Sequence, residues 1–226
     1  MDIELVVFDM AGTTVAEGGA VYRCLRDTCA AYGVPVTDAD IRPVKGLDKR
    51  DALRTLVTAS SRRDELLPQL EGIHHDFVAR MLAFYRTDPS VDEVPGTGAT
   101  FRRLRRHGVK IALDTGFSRE IAQTLIDRLG WERDHLIDAS VASDEVERGR
   151  PHPFMIHALM GRLGVVEAGR VAKIGDAPAD LFEGRNAGCG MVVGVTRGSS
   201  TREQLASCPH DYLIDTVVEL PPLLLC

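Results

Sequence analysis

Short apolar runs separated by helical patterns organise this chain. LVVF (5–8), VKIAL (109–113), VAKI (171–174) and MVVGV (191–195) are rich in β-branched residues and apolar on both faces. Such runs suit strands buried on both sides in a parallel sheet. Helical spacing falls near 97–107, 118–129, 152–163 and 178–187. Strand alternating with helix predicts an α/β fold built on a Rossmann-like parallel sheet.

The stretch 16–94 breaks this rhythm. YRCLRDTCAAYG, DKRDALRTLVTA and LLPQLEGIHHDFVARMLAFYR have helical spacing, and no clear strand lies among them. Pro68 belongs near a helix start or at an interruption. The pattern predicts a helical cap over 16–94 inserted into a core made of 1–15 and 95–226, with VPG (94–96) as the return. Leucine, methionine and phenylalanine at 77–84 recur at helical spacing and read as core or as a cap interface.

The length of 226 residues allows one sizeable domain, or a core plus a smaller one. Hydrophobic residues at 44% and charged residues at 27% fit an ordinary globular protein. A net charge of −6 argues against a general nucleic-acid binder, yet leaves room for a small anionic substrate held by local cations. Arg102, Arg103, Arg105 and Arg106 read as the solvated face of one helix. Five cysteines with no C-x-x-C pair predict neither a disulfide framework nor a zinc site. With no signal-peptide pattern and no bilayer-length apolar run, the expected location is cytoplasmic and no membrane partner is expected.

Three predicted strands end in aspartate, at Asp9, Asp114 and Asp176. Open parallel sheets bind ligands at the carboxyl ends of their strands, so these acids should face one crevice. Asp180 follows Asp176 by one helical turn and can approach the same place. Any one of these acids alone reads more simply as a helix cap. Gathered together, carboxylates repel unless a cation joins them, and a hard oxygen-seeking Mg²⁺ suits the set. Thr115 and Gly116 follow a strand just before a helix that starts near Ser118, where a hydroxyl and free N–H groups can hold phosphoryl oxygens. Arg150 in GRPHP offers a permanently charged planar fork for the same oxygens.

These pieces, in this order, resemble the haloacid dehalogenase superfamily: DMAGT (9–13), DTG (114–116), Arg150 in GRPHP, and GDAPAD (175–180). FD-x-AGTT, TG-[YF]-[ST]-RE, DEV-x-x-GRP-x-P and EGRNAG narrow the resemblance to the phosphonoacetaldehyde hydrolases, or phosphonatases. The resemblance implies that Asp9 attacks phosphorus. It implies that Asp9, the carbonyl of Ala11 and Asp176 hold Mg²⁺, with Asp180 in support. It assigns phosphoryl binding to Thr115, Gly116 and Arg150, and puts Gly12 beside the substrate. Relatives that pair through the cap region make a homodimer compatible with it.

Most of the superfamily carries an aspartate where this chain has Ala11. A phosphate ester leaves as an alkoxide and gains from an acid that protonates it. A phosphonate would instead release a carbanion, for which an electron sink is the better remedy. A lysine condensed with a neighbouring carbonyl supplies one, because cleavage then yields a neutral enamine. KGLDKRDAL offers Lys45 and Lys49, and the family pattern G-x-x-K falls on Gly46 and Lys49, which makes Lys49 the imine candidate. Lys45 is a candidate to bind an extra substrate carboxylate or to shift the proton affinity of Lys49. The chain departs from the family pattern at Ala52 (a histidine there), Gly19 (a cysteine), Lys45 (a methionine) and Phe117 (a tyrosine). The expected activity is Mg²⁺-dependent cleavage of the P–C bond of phosphonoacetaldehyde or a related 2-oxo-phosphonate. The alternatives are a phosphate-monoester phosphatase without imine chemistry, and a non-catalytic binding module.

Overall fold

In the computed structural model, which describes residues 2–225, the chain opens with β1 (Leu5–Asp9), a run of five buried residues. A two-residue strand β2 (Val15–Ala16) follows, then helices α1 (Ala20–Ala31), α2 (Asp38–Ile41), α3 (Lys49–Thr58), α4 (Arg63–Leu66) and α5 (Leu70–Thr87). Strand β3 (Asp92–Glu93) leads into α6 (Thr97–Arg106), β4 (Lys110–Thr115), α7 (Arg119–Leu129) and β5 (Ala139–Ala142). The rest runs α8 (Phe154–Leu163), β6 (Val171–Gly175), α9 (Pro178–Asn186), β7 (Met191–Val195), α10 (Arg202–Ala206), β8 (Tyr212–Ile214) and α11 (Leu220–Leu224).

Six parallel strands form one sheet in the order β5-β4-β1-β6-β7-β8. Strand order reverses on either side of β1, which creates the crevice that parallel sheets use for ligands. Alternation along β1 divides the core. Val6 and Phe8 join a cluster with α6, α7 and the helices of 16–94, and Phe8 lies 5.0 Å from the Phe101 ring. Leu5 and Val7 join a second cluster with Met155, Ile156 and Leu159 of α8 and Leu181 of α9. Each such buried side chain contributes roughly 1.5–3 kcal/mol.

The fold is the α/β architecture that the periodicity predicts, and all four predicted strands and helices of the 97–187 pattern appear within one or two residues of their expected bounds. Two sheet strands, β5 (ASVA) and β8 (YLI), go beyond that pattern. They are short edge strands, and neither has the β-branched density of the inner ones. Pro68 falls in a single 3₁₀ turn, Leu67–Gln69, that leads into α5. The 16–94 stretch also holds more strand than expected. β2 and β3 pair antiparallel, Val15 with Glu93 and Ala16 with Asp92. Two-residue strands lie below any periodicity signal. Val94 N–H donates to the Thr14 carbonyl at 2.8 Å, so this ribbon ties together the two ends of the helical stretch. Among the described residues, no helix is long and apolar enough to cross a membrane.

Candidate active site

Sheet register brings the strand-end acids together. Asp9 pairs across from Asp114, and Phe8 from Ile174, so the carboxyl ends of β1, β4 and β6 lie side by side. A small chamber opens there, lined by Asp9, Ala11, Lys49, Thr115, Arg150 and Asp176 among others. Carboxylate oxygens of Asp9, Asp176 and Asp180 all lie within 4.8 Å of one another, and all three residues are buried. Burial, then the charges of Asp9 and Asp180, push the Asp176 carboxyl up to about 8. Thr13 Oγ1 donates to Asp176 at 3.5 Å, and Ser199 N–H donates to its other oxygen. Three buried carboxylates gathered this closely, of which Asp176 has no cationic partner of its own among the described residues, suit a hard divalent cation. Gly12, at φ +90°, presses against Asp176, and its N–H donates to the Val15 carbonyl at 2.9 Å.

Arg150 is almost fully buried, and each of its guanidinium nitrogens meets a carboxylate. Nη1 reaches Asp9 at 2.7 Å and Asp180 at 3.0 Å, Nε reaches Glu183 at 3.0 Å, and Nη2 pairs with Asp114. Its fork therefore holds the Asp9 carboxylate directly. The sequence reading passed over Lys173 and Glu183, which complete this network. Lys173 Nζ pairs with Asp114 and lies 3.2 Å from Asp180 and 3.1 Å from Glu183. Burial and the Arg150 charge oppose its protonation, but Asp114, Glu183 and Asp180 outweigh them and hold the amine above its ordinary range. The signal was present: a lysine in the middle of a buried apolar strand needs buried partners.

Lys49 begins α3, and Asp48 caps that helix by accepting from Asp51 N–H at 2.9 Å. The same Asp48 accepts from Ser143 Oγ at 2.5 Å, while Lys49 N–H donates to the Gly116 carbonyl at 3.1 Å. This segment is thus fastened onto the turn after β4. A Cβ at position 116 would collide with the Leu47 carbonyl and lie 3.2 Å from Lys49 Nζ, so the close approach requires glycine there. Lys49 Nζ donates to the Leu47 carbonyl at 2.7 Å and lies 5.2 Å from the Phe117 ring centre. Burial first, with the Arg150 charge adding to it, lowers the affinity of this amine for its proton.

The remaining candidates divide. Thr115 is buried at the chamber wall, where its Oγ1 accepts from Phe117 N–H at 3.2 Å. Lys45 lies beside neighbouring clefts, not in the chamber wall. Its amine donates to the Ser199 carbonyl and sits 5.7 Å from the Tyr22 ring centre. Two further residues that sequence reading missed do line the chamber, Glu17 and Tyr22.

The family profile of haloacid dehalogenase-like hydrolases matches residues 3–188. The chain belongs to that family. This hydrolase is 33% identical to a phosphonoacetaldehyde hydrolase of Bacillus cereus (strain B4264), over 92% of this chain and 82% of that one. A phosphonoacetaldehyde hydrolase of Syntrophobacter fumaroxidans is 31% identical over 93% of this chain and 80% of its own. In structure, the hydrolase resembles a phosphonoacetaldehyde hydrolase-like protein from Oleispira antarctica, with a TM-score of 0.83 at 21% identity, covering 100% of this chain and 92% of that one. The likeness at that identity is one of fold.

Proposed function

We propose that this hydrolase cleaves the P–C bond of a small 2-oxo-phosphonate, phosphonoacetaldehyde or a relative. Asp9 is the nucleophile and Lys49 the imine-forming amine. The observation that carries the proposal is a buried Lys49 amine, reduced in proton affinity, in one chamber with Asp9 and Ala11. An amine must shed its proton before it can attack a carbonyl, and burial favours that. Residues 16–94 then act as the cap that carries Lys49 to the core.

Arg150 orients the Asp9 carboxylate through the 2.7 Å contact, and Thr115 and Gly116 form the wall beside the phosphoryl group. Lys49 condenses with the substrate carbonyl and releases water. An Asp9 oxygen then forms a bond to phosphorus as the P–C bond breaks, and the bonding pair moves into the protonated imine to give an enamine. Water next adds to phosphorus and breaks the bond to the Asp9 oxygen, which frees phosphate and restores the Asp9 carboxylate. Mg²⁺ would be held by Asp9, the Ala11 carbonyl and Asp176, with Asp180 behind, and would supply positive charge opposite the carboxylates and phosphoryl oxygens.

Borohydride added during turnover of phosphonoacetaldehyde should leave a reduced adduct on Lys49, located by peptide mass. A wild-type protein that releases phosphate with Lys49 unmodified would refute the imine. The competing reading is a phosphate-monoester phosphatase in which Lys49 serves only as a charge. Its contacts to the Leu47 carbonyl and the Phe117 ring favour that reading. Hydrolysis of sugar phosphates with none of oxo-phosphonates would establish it.

Mg²⁺ should also stabilise the fold in a pH-dependent way. The Asp176 carboxyl stands at about 8 in the folded protein, far above its ordinary 3.8. Without metal, the folded state retains a proton that the unfolded chain loses, so stability falls as pH rises from 3.8 to about 8. A cation binds the ionised form and offsets that loss. At a hundredfold excess over Kd, Mg²⁺ is expected to raise Tm by about 5–10 °C. The rise should be larger at basic pH than in weak acid. Thermal melts at the two pH values check this, and equal shifts would contradict it.

A further inference from the structure

We propose that Glu17 is the proton donor and acceptor for the carbon half of the reaction. The proposal rests on Lys49 as the imine-forming amine. Once the P–C bond has broken, an enamine remains on Lys49, and its terminal carbon needs a proton before product can leave. Few of the groups lining the chamber can give one. Asp9 then carries phosphorus, and Asp176 belongs to the acidic group suited to a cation. The Arg150 guanidinium does not release protons. The Thr115 hydroxyl, an aliphatic alcohol, is far too weak an acid for the task, and burial together with Asp176 holds the Tyr22 proton far more tightly than usual.

Glu17 remains. It stands in the turn between β2 and α1, and it shares the chamber wall with Lys49. It is buried. Its Oε2 accepts from Val21 N–H at 2.9 Å, which fixes the carboxyl at the start of α1. Burial raises its affinity for a proton, against the Val21 bond and the Arg23 charge, so it can hold one to deliver. From α5 the Tyr85 hydroxyl feels the Glu17 charge; it is buried and has no hydrogen-bond partner among the described residues. A carboxyl that served only to cap α1 would do so as well in water, with no desolvation to oppose its charge.

The protons balance. Glu17 gives its proton to the terminal enamine carbon, which forms the C–H bond and restores the protonated imine. Water then adds to the imine carbon, and the Glu17 carboxylate takes the proton that this water loses. The hydroxyl proton of the resulting carbinolamine passes to nitrogen, the C–N bond breaks, and the carbonyl product and free Lys49 amine separate. Glu17 ends as it began.

Glu17→Gln keeps an oxygen for Val21 N–H and removes only the proton chemistry. With phosphonoacetaldehyde it is expected to release about one phosphate per chain in a fast first turnover. Steady-state turnover should then be about 100-fold below wild type. Gly19→Ala is the control: it strains the same turn, at φ +76°, and keeps the carboxyl. It should lower Tm with turnover of the folded fraction retained. Unchanged steady-state turnover in Glu17→Gln would overturn the proposal. So would a first turnover slowed as much as the later ones, or a Gly19→Ala variant that shows the same burst and slow phase. Failure of the parent reading looks different, since wild type would then leave Lys49 unmodified by borohydride.

Discussion

Asparagine at position 9 is expected to abolish turnover and leave the fold at least as stable as wild type. The two effects have one cause. Asp9 is nearly buried at the end of β1, with Arg150 as its ion-pair partner and Asp176 and Asp180 as near neighbours of like charge. As the proposed nucleophile it would account for the chemical step, so phosphate release should fall by at least about 10⁴-fold. As a charge it is a burden on the metal-free fold, because it raises the Asp176 carboxyl second only to burial. The amide removes that repulsion. Arg150 keeps Asp114, Asp180 and Glu183, so it is not left unpaired. Metal-free Tm should be unchanged or higher by about 2–4 °C. A phosphate-release assay beside a thermal melt tests both halves. A variant that lost activity by unfolding would break the link between this carboxylate and the chemistry.

That trade between function and stability explains what the sequence did and did not disclose. Alternation of apolar runs with helical spacing was enough to reach a parallel sheet, because β1, β4, β6 and β7 are buried on both faces and are therefore largely apolar. Acids at the ends of three such strands break that demand visibly, so Asp9, Asp114 and Asp176 could be read directly. Lys49 was legible only through the G-x-x-K likeness. Nothing local distinguishes it from a surface lysine at a helix start, and its burial comes from the Gly116 turn, 67 positions away in the chain. Glu17 stayed hidden for a similar reason. It reads as one more acid in a glycine-rich turn, and the walls that bury it come from elements far along the chain. Lys45 enters the candidate set through its alignment with a family methionine, and its amine donates to the Ser199 carbonyl.

Lys173→Met is the second substitution with a large expected effect, this time on the fold. Below the chamber, Arg150 and Lys173 face Asp114, Asp180 and Glu183 with no solvent to share the load. Asp114 Oδ2 and Glu183 Oε1 have no donor, and burial followed by the Asp114 charge pushes the Glu183 carboxyl up to about 8. One proton retained by Glu183 therefore joins two acids that would otherwise repel. Removing the Lys173 charge leaves Arg150 as their one direct cation among the described residues. Breaking one side of a buried network costs about 3–5 kcal/mol, a fall of roughly 6–20 °C in Tm for a chain of this size. The loss should grow with pH. In the variant Asp180 and Glu183 rise further above their ordinary values, and a carboxyl raised on folding removes stability as pH climbs from its unfolded to its folded pKa. Melts in weak acid should therefore show a smaller gap from wild type than melts above pH 8. Lys173→Met combined with Glu183→Leu should recover most of the lost stability, since an apolar pair of similar volume replaces a charge left alone. If the double variant melts no higher than the single one, Lys173 stabilises the strand by packing, and the charges around it are incidental.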